Sequence, residues 1–166
     1  MNTHQLKASI TAIVNKMNTH QLKASITAIV NNNNTVSEKL QLICDFLKHE
    51  IEYYDWVGFY FKNGNKQELK LAEFSGVPTE HTLIPFGKGI CGQVAVSNNN
   101  FVVPNVEAQD NYISCGFKVK SEIVIPIFVK GENIGQIDID SHTINPFSKE
   151  DELLLEFVCE KVAEIL

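Results

Sequence analysis

Ile123-Val124-Ile125-Pro126-Ile127-Phe128-Val129 and Ile134-Gly135-Gln136-Ile137-Asp138-Ile139-Asp140 decide the fold. Both runs are rich in β-branched residues, and only Lys130 to Asn133 separates them. That pattern predicts an antiparallel hairpin turning around Gly131-Glu132. Further toward the N-terminus, Trp56 to Phe61 and Leu69 to Phe74 read as strands joined by the turn Asn63-Gly64-Asn65, and Phe101 to Val103 as a short strand closed by Pro104. Leu40, Ile43, Cys44 and Leu47 recur at helical spacing from Ser37 to about Glu50, with Thr35 or Ser37 as cap. After Pro146, Ser148 caps a last amphipathic helix with Leu153, Leu154, Phe157, Val158 and Val162 facing inward. Between the strands, Gly76 to Pro85 is irregular, and glycines 87, 89 and 92 punctuate a loop that runs into a short helix over Cys91 to Ser97. Asn105 to Lys120 is a long loop or short helix. The order gives an α+β fold, an antiparallel sheet with helices gathered on one side. An irregular middle of roughly 35 residues is too long to be a mere connection and reads as functional.

Composition narrows the function. The 166 residues carry a net charge of −6, every acidic residue lies at Glu38 or later, and there is no arginine. Without a guanidinium fork for phosphates and base edges, nucleic acid is not an expected partner. The four cysteines, at 44, 91, 115 and 159, form neither a CxxC motif nor a ladder of short spacings, so neither a zinc site nor a secreted disulfide scaffold is expected. No run approaches the roughly 18 apolar residues of a membrane span. A cytoplasmic location is expected.

The N-terminus repeats itself. Residues 1–15 recur without change at 17–31, after Lys16. Each copy carries an amphipathic stripe, Leu6, Ile10, Ile13 and Val14 in the first and Leu22, Ile26, Ile29 and Val30 in the second. At about 100° per residue, the 16-residue offset turns the second stripe about 160° from the first. One copy can pack on the domain; the other needs a bend, a partner chain or solvent. Two identical units are too few for a solenoid and read as a recent duplication or a gene-model artefact. Residues 1–34 are therefore set apart as a duplicated segment with an Asn-rich linker, and 35–166 form the functional domain.

Asp138 and Asp140 are two apart on a strand and share one face, with Ile137 and Ile139 on the other. Alone they read as a solvated strand face. Glu122, at the start of the partner strand, adds a third carboxyl. Three clustered carboxyls repel, so one keeps its proton and can act as an acid while the others bind an ammonium. A strict two-residue turn at Gly131-Glu132 puts Glu122 on the opposite face; a three-residue loop or a bulge, which Pro126 could mark, brings the three together. Cys44 and Cys159 sit at apolar helical positions, as small hydrophobes. Cys91 and Cys115 fall outside periodic segments. Trp56 and Tyr60 share a strand face and can wall an apolar ligand group, although core packing is the default for aromatics. His81 and His142 show no metal-ligand spacing.

Together, Trp56-Val57-Gly58-Phe59-Tyr60, Gly87-Lys88-Gly89-Ile90-Cys91-Gly92, Ser121 to Pro126 and Gly135 to Ser141 resemble the GAF-domain free methionine-(R)-sulfoxide reductases. The resemblance spans about Ser37 to Leu166. It implies a GAF-like sheet of about six strands with a loop-covered pocket on the face away from the terminal helices. It also implies that Cys115 is the nucleophile and that Glu122, Asp138 and Asp140 supply the proton and hold the substrate amine. Trp56 and Tyr60 would enclose the methyl-sulfoxide end. Cys115 would become a sulfenic acid, Cys91 would resolve it to a disulfide, and a thioredoxin-like reductant, drawing indirectly on NADPH, would reopen it. No bound cofactor and no metal are implied; a homodimer is. Relatives often carry a further cysteine where this chain has His81, which leaves resolution to Cys91. The rival expectation is a non-catalytic GAF module that senses a small molecule or dimerises.

Overall fold

In this computed structural model the described residues are 16–110, 112 and 118–166. Strand alternation settles the architecture. Val57, Phe59, Ile123, Ile125, Ile127, Ile137 and Ile139 turn to one side of a sheet and are almost wholly buried there. Trp56, Tyr60 and Val124 turn to the other side. Six strands form the sheet: β1 (Trp56–Lys62), β2 (Glu68–Ser75), β3 (Leu83–Pro85), β4 (Phe101–Val103), β5 (Ser121–Val129) and β6 (Glu132–Ser141). They run in the order β3-β2-β1-β6-β5-β4, with every neighbouring pair antiparallel.

Three helices cover the first face: α1 (Thr19–Val30), α2 (Val36–Glu50) and, at the C-terminus, α4 (Lys149–Ala163). Helix α3 (Gly89–Ser97) lies on the second face. Capping boxes open the three helices of the first face, Asn18 with Gln21, Thr35 with Glu38, and Ser148 with Asp151. Asp151 is buried and does more than cap. Its Oδ2 accepts from the Ser148 N–H at 2.8 Å, and its Oδ1 accepts from the hydroxyls of Tyr53 at 2.8 Å and Tyr54 at 2.9 Å. These bonds tie the start of α4 to the segment that leads into β1. The second copy of the repeat supplies α1, whose Leu22, Ile26 and Val30 pack into the core beside α4. The first copy lies outside the described residues.

Four details differ from expectation. The hairpin turns at Lys130-Gly131, both with positive φ (52° and 78°), so that Val129 pairs with Glu132. Left alone, that turn would put Glu122 on the helix-covered face. A bulge at Ile134 shifts the register by one residue and pairs Glu122 with Asp140. The irregularity is therefore at Ile134, not Pro126, which lies past the end of β4 where β5 has a neighbour on one side only. Leu83–Pro85 forms an edge strand within the stretch expected to be irregular. Leu153 is 49% exposed, because the buried stripe of α4 runs through Leu154, Leu155, Val158, Cys159 and Val162.

Candidate active site

The face beneath α3 carries the sheet's buried carboxyls. Register places Trp56 opposite Asp140 and Gly58 opposite Asp138 across the β1/β6 seam. Across the β5/β6 seam, Glu122 faces Asp140. All three carboxyls are at most 3% exposed. Cys91 comes from the first turn of α3, which begins at Gly89, two residues before the expected start at Cys91. Its Sγ is 3.7 Å from Glu122 Oε1, a weak thiol-to-carboxyl hydrogen bond. One atom each of Cys91, Glu122 and Asp138 lie within 4.8 Å of one another.

Trp56 and Tyr60 form the adjoining wall, with ring centroids 6.4 Å apart. Trp56 also stacks on Phe74 at 5.6 Å. This arrangement needs Gly58: a Cβ there would lie 2.2 Å from Trp56 Cη2. Both aromatics hold the segment that follows β2. Trp56 Nε1 donates to the Val77 carbonyl at 3.0 Å, and the Tyr60 hydroxyl donates to the His81 carbonyl at 2.8 Å. His81, Ile84, Lys88, Gly89, Ile90, Cys91, Glu122 and Asp138 enclose a cavity of about 10 Å³. Lys88 is exposed and His81 half-buried, so the solvent side of the cavity is theirs.

Cys115 lies outside the described residues. On either side of it, Tyr112 and Val119 pack against the cluster that contains Cys91. The other six sequence-derived residues, Cys91, Glu122, Asp138, Asp140, Trp56 and Tyr60, all stand on this one face.

Residues 35–166 match the GAF domain family. The free methionine-R-sulfoxide reductase of Escherichia coli is 34% identical over 112 residues, 68% of this chain and 66% of its own length. The structure of the free methionine-R-sulfoxide reductase from Neisseria meningitidis in complex with its substrate superposes with a TM-score of 0.83 at 32% identity, covering 89% of this chain and 87% of that one. The chain belongs to the GAF-domain free methionine-R-sulfoxide reductase family. Among its relatives, GAF domain-containing protein A of Dictyostelium discoideum is 39% identical over 109 residues, 66% of this chain and 67% of that protein.

The electrostatics of this family member follow from burial. Glu122 is raised well above the ordinary carboxyl range, first because burial strips water from its ionised form and then because Asp138 and Asp140 lie close. Burial also raises Asp138, while neighbouring Glu122 and Cys91 act in the opposite direction. Burial thus favours the protonated form of both, and the nearby aspartates add to that effect at Glu122. Desolvation raises the thiols of Cys44 and Cys159 as well, which fits inert packing within helices.

Sequence reasoning passed over Gln136, which is fully buried on the same face and whose amide atoms meet no partner among the described residues. Its signal was its phase with Asp138 and Asp140. It also passed over Lys88 as a lining residue, for which the sequence carried no signal. A larger groove of about 350 Å³, lined by Lys62, Asn98 and Asn133 among others, lies at the hairpin end and holds none of the sequence-derived site residues.

Proposed function

We propose that this member of the reductase family, an oxidoreductase, reduces free L-methionine-(R)-sulfoxide to methionine by thiol chemistry. The Cys115 thiolate attacks the sulfoxide sulfur while Glu122 delivers its proton to the oxygen. Methionine departs and Cys115 is left as a sulfenic acid. The Cys91 thiolate attacks that sulfur, water leaves, and a disulfide joins the two. A thioredoxin-like dithiol reopens the disulfide and carries away the two electrons' worth of oxidation. Asp138 and Asp140 hold the substrate ammonium, and Trp56 and Tyr60 enclose its methyl end.

The observation that carries this reading is Cys91 Sγ 3.7 Å from a buried Glu122 carboxyl, beside Asp138. An acid and a thiol in contact suit a reaction that must protonate an oxygen and then close a disulfide. Tyr112 and Val119, packed against the same cluster, support Cys115 as the second thiol, since it follows Tyr112 by only three residues. A 10 Å³ cavity admits no amino acid, so binding widens it, and the half-buried His81 and exposed Lys88 are the wall that yields. The ammonium requirement explains a preference for the free amino acid, because within a protein that nitrogen is an uncharged amide. A cytoplasmic homodimer belongs to the same reading.

The test is thioredoxin-coupled NADPH oxidation with the R and S epimers of free methionine sulfoxide. Turnover of the R epimer is expected in the wild type and absent in Cys115→Ser. Cys91→Ser should release one methionine per chain and then stall. An inactive wild type, or full turnover in Cys115→Ser, defeats the reading.

A further inference from the structure

Residues 1–15 and 17–31 are identical, and the groove between α2 and α4 holds the second of them. Helix α1 lies against both neighbours, with Leu22 8%, Ile26 0% and Val30 3% exposed and with Met17 and Ile29 packed on the same core. Polar contacts fix its register. Asn18 and Gln21 close the capping box at its start. The Lys23 ammonium lies 5.2 Å from the centre of the Phe157 ring on α4. From α2, the Lys39 ammonium donates to the Val30 carbonyl at 2.7 Å. Every residue that α1 brings to these contacts has a counterpart sixteen positions earlier, among them Asn2, Gln5, Leu6, Lys7, Ile10 and Val14.

We propose that this groove is a docking site for residues 1–15 as well as for 17–31, and that the chain exchanges between two registers in which one copy or the other supplies the helix. Identical side chains make identical contacts with α2 and α4, so the contact energies of the two registers match. Each register also leaves one copy undocked, and the cost of its exposed stripe is common to both and cancels. What differs is the tether. Residues 31–35, five in all, join Val30 to the start of α2; in the other register residues 15–35, twenty-one in all, join Val14 to it. Loop-closure entropy grows as three halves of the logarithm of loop length, so the longer tether lowers the equilibrium constant by a factor of about nine. The register with Ile26 in the core is therefore the favoured one, and the exchanged register is populated to about a tenth of it. The repeat acts as a spare helix. Damage to the seated stripe costs the chain the tether factor instead of the whole docking interaction.

The experiment is a double-mutant cycle in the full-length chain. Ile26→Asp puts a charge at the fully buried position of the seated copy, and Ile10→Asp makes the same change in the other copy. Folding equilibrium constants come from denaturant titration. Ile10→Asp should change the constant by less than about twofold, and Ile26→Asp should lower it by about tenfold and no further. The double variant should lose at least about another tenfold, because each register then buries an unpaired carboxylate. Backbone amide hydrogen exchange reads the register directly and does not require the double variant to fold. Protection over residues 22–30 in the wild type should pass to residues 6–14 in Ile26→Asp. An Ile26→Asp chain as unstable as the double variant, or one whose residues 6–14 gain no protection, overturns the proposal. Protection of 6–14 that appears only as the chain concentration rises places the segment on a second copy of the chain, and overturns exchange within one chain. Both readouts are taken without substrate, so they stand or fall separately from the reductase reading.

Discussion

The two faces of this sheet are built from the same strands and do opposite things. On the helix-covered face, Val57, Phe59, Ile123, Ile125, Ile137 and Ile139 meet α1, α2 and α4 in an interior that is almost entirely apolar. On the face under α3, the alternate residues of the same strands are Trp56, Tyr60, Glu122, Gln136, Asp138 and Asp140, just as deeply buried. Burial has two uses here. On one face it contributes folding energy; on the other it withdraws water from acids and so shifts their protonation. Stability and chemistry are assigned residue by residue along each strand, with a period of two.

Substitutions on the two faces should have different effects. Glu122→Gln should lower kcat by about 10²- to 10⁴-fold, as expected for loss of a general acid, measured at saturating sulfoxide. It should also make the protein more stable than wild type at neutral and alkaline pH. The sign follows from a folded-state pKa above the unfolded one: the stabilising contribution of the protonated carboxyl is complete below the ordinary glutamate range and is lost as pH rises through the shifted value. Denaturant titrations of both proteins across pH check this, and a Glu122→Gln variant that is less stable throughout would contradict it. With Glu122 as the proposed acid, wild-type kcat should fall over the same rising-pH window.

On the opposite face, Ile137→Ala should destabilise the fold by about 2–5 kcal/mol and leave the pH profile of surviving activity unaltered. Gly58→Ala tests the packing of the face under α3, since the added methyl lands on the Trp56 ring. Overpacking of about 1–3 kcal/mol is expected, with a raised KM and a shifted emission from the single tryptophan. Leu153→Ala should change stability by no more than about 0.5 kcal/mol, because that side chain is 49% exposed.

Much of this division was legible in the sequence. Alternation put Asp138 in phase with Asp140, and Trp56 in phase with Tyr60. Helical periodicity found α2 and α4. Glu122 was different, because its face depends on everything between it and the aspartates. Sliding the turn to Lys130-Gly131 moves the pairing by two residues and leaves the face of Glu122 unchanged, whereas the bulge at Ile134 moves it by one and decides that face, and neither has a compelling local signature. β3 escaped because three residues in an edge strand carry too little pattern. Leu153 was misplaced because it borders the buried stripe, where one residue of phase separates core from surface. The ties from Trp56 to Val77 and from Tyr60 to His81 end on backbone carbonyls, which no side-chain pattern reveals.

The strand order has a consequence for how the molecule comes into being. β6, last of the strands in the chain, is third from one edge of the sheet and seals β1 to β5. Until Glu132–Ser141 has left the ribosome, the β1–β2–β3 sheet and the β4–β5 pair have no hydrogen-bonded connection to each other. Trp56 and Asp140 meet directly across that closing seam, 84 positions apart in the chain. Such distant pairing forms late, after its loop-closure entropy has been met. Every truncation upstream of residue 132 therefore removes the keystone of the sheet rather than its rim, and no nascent fragment that ends there brings Trp56 to Asp140.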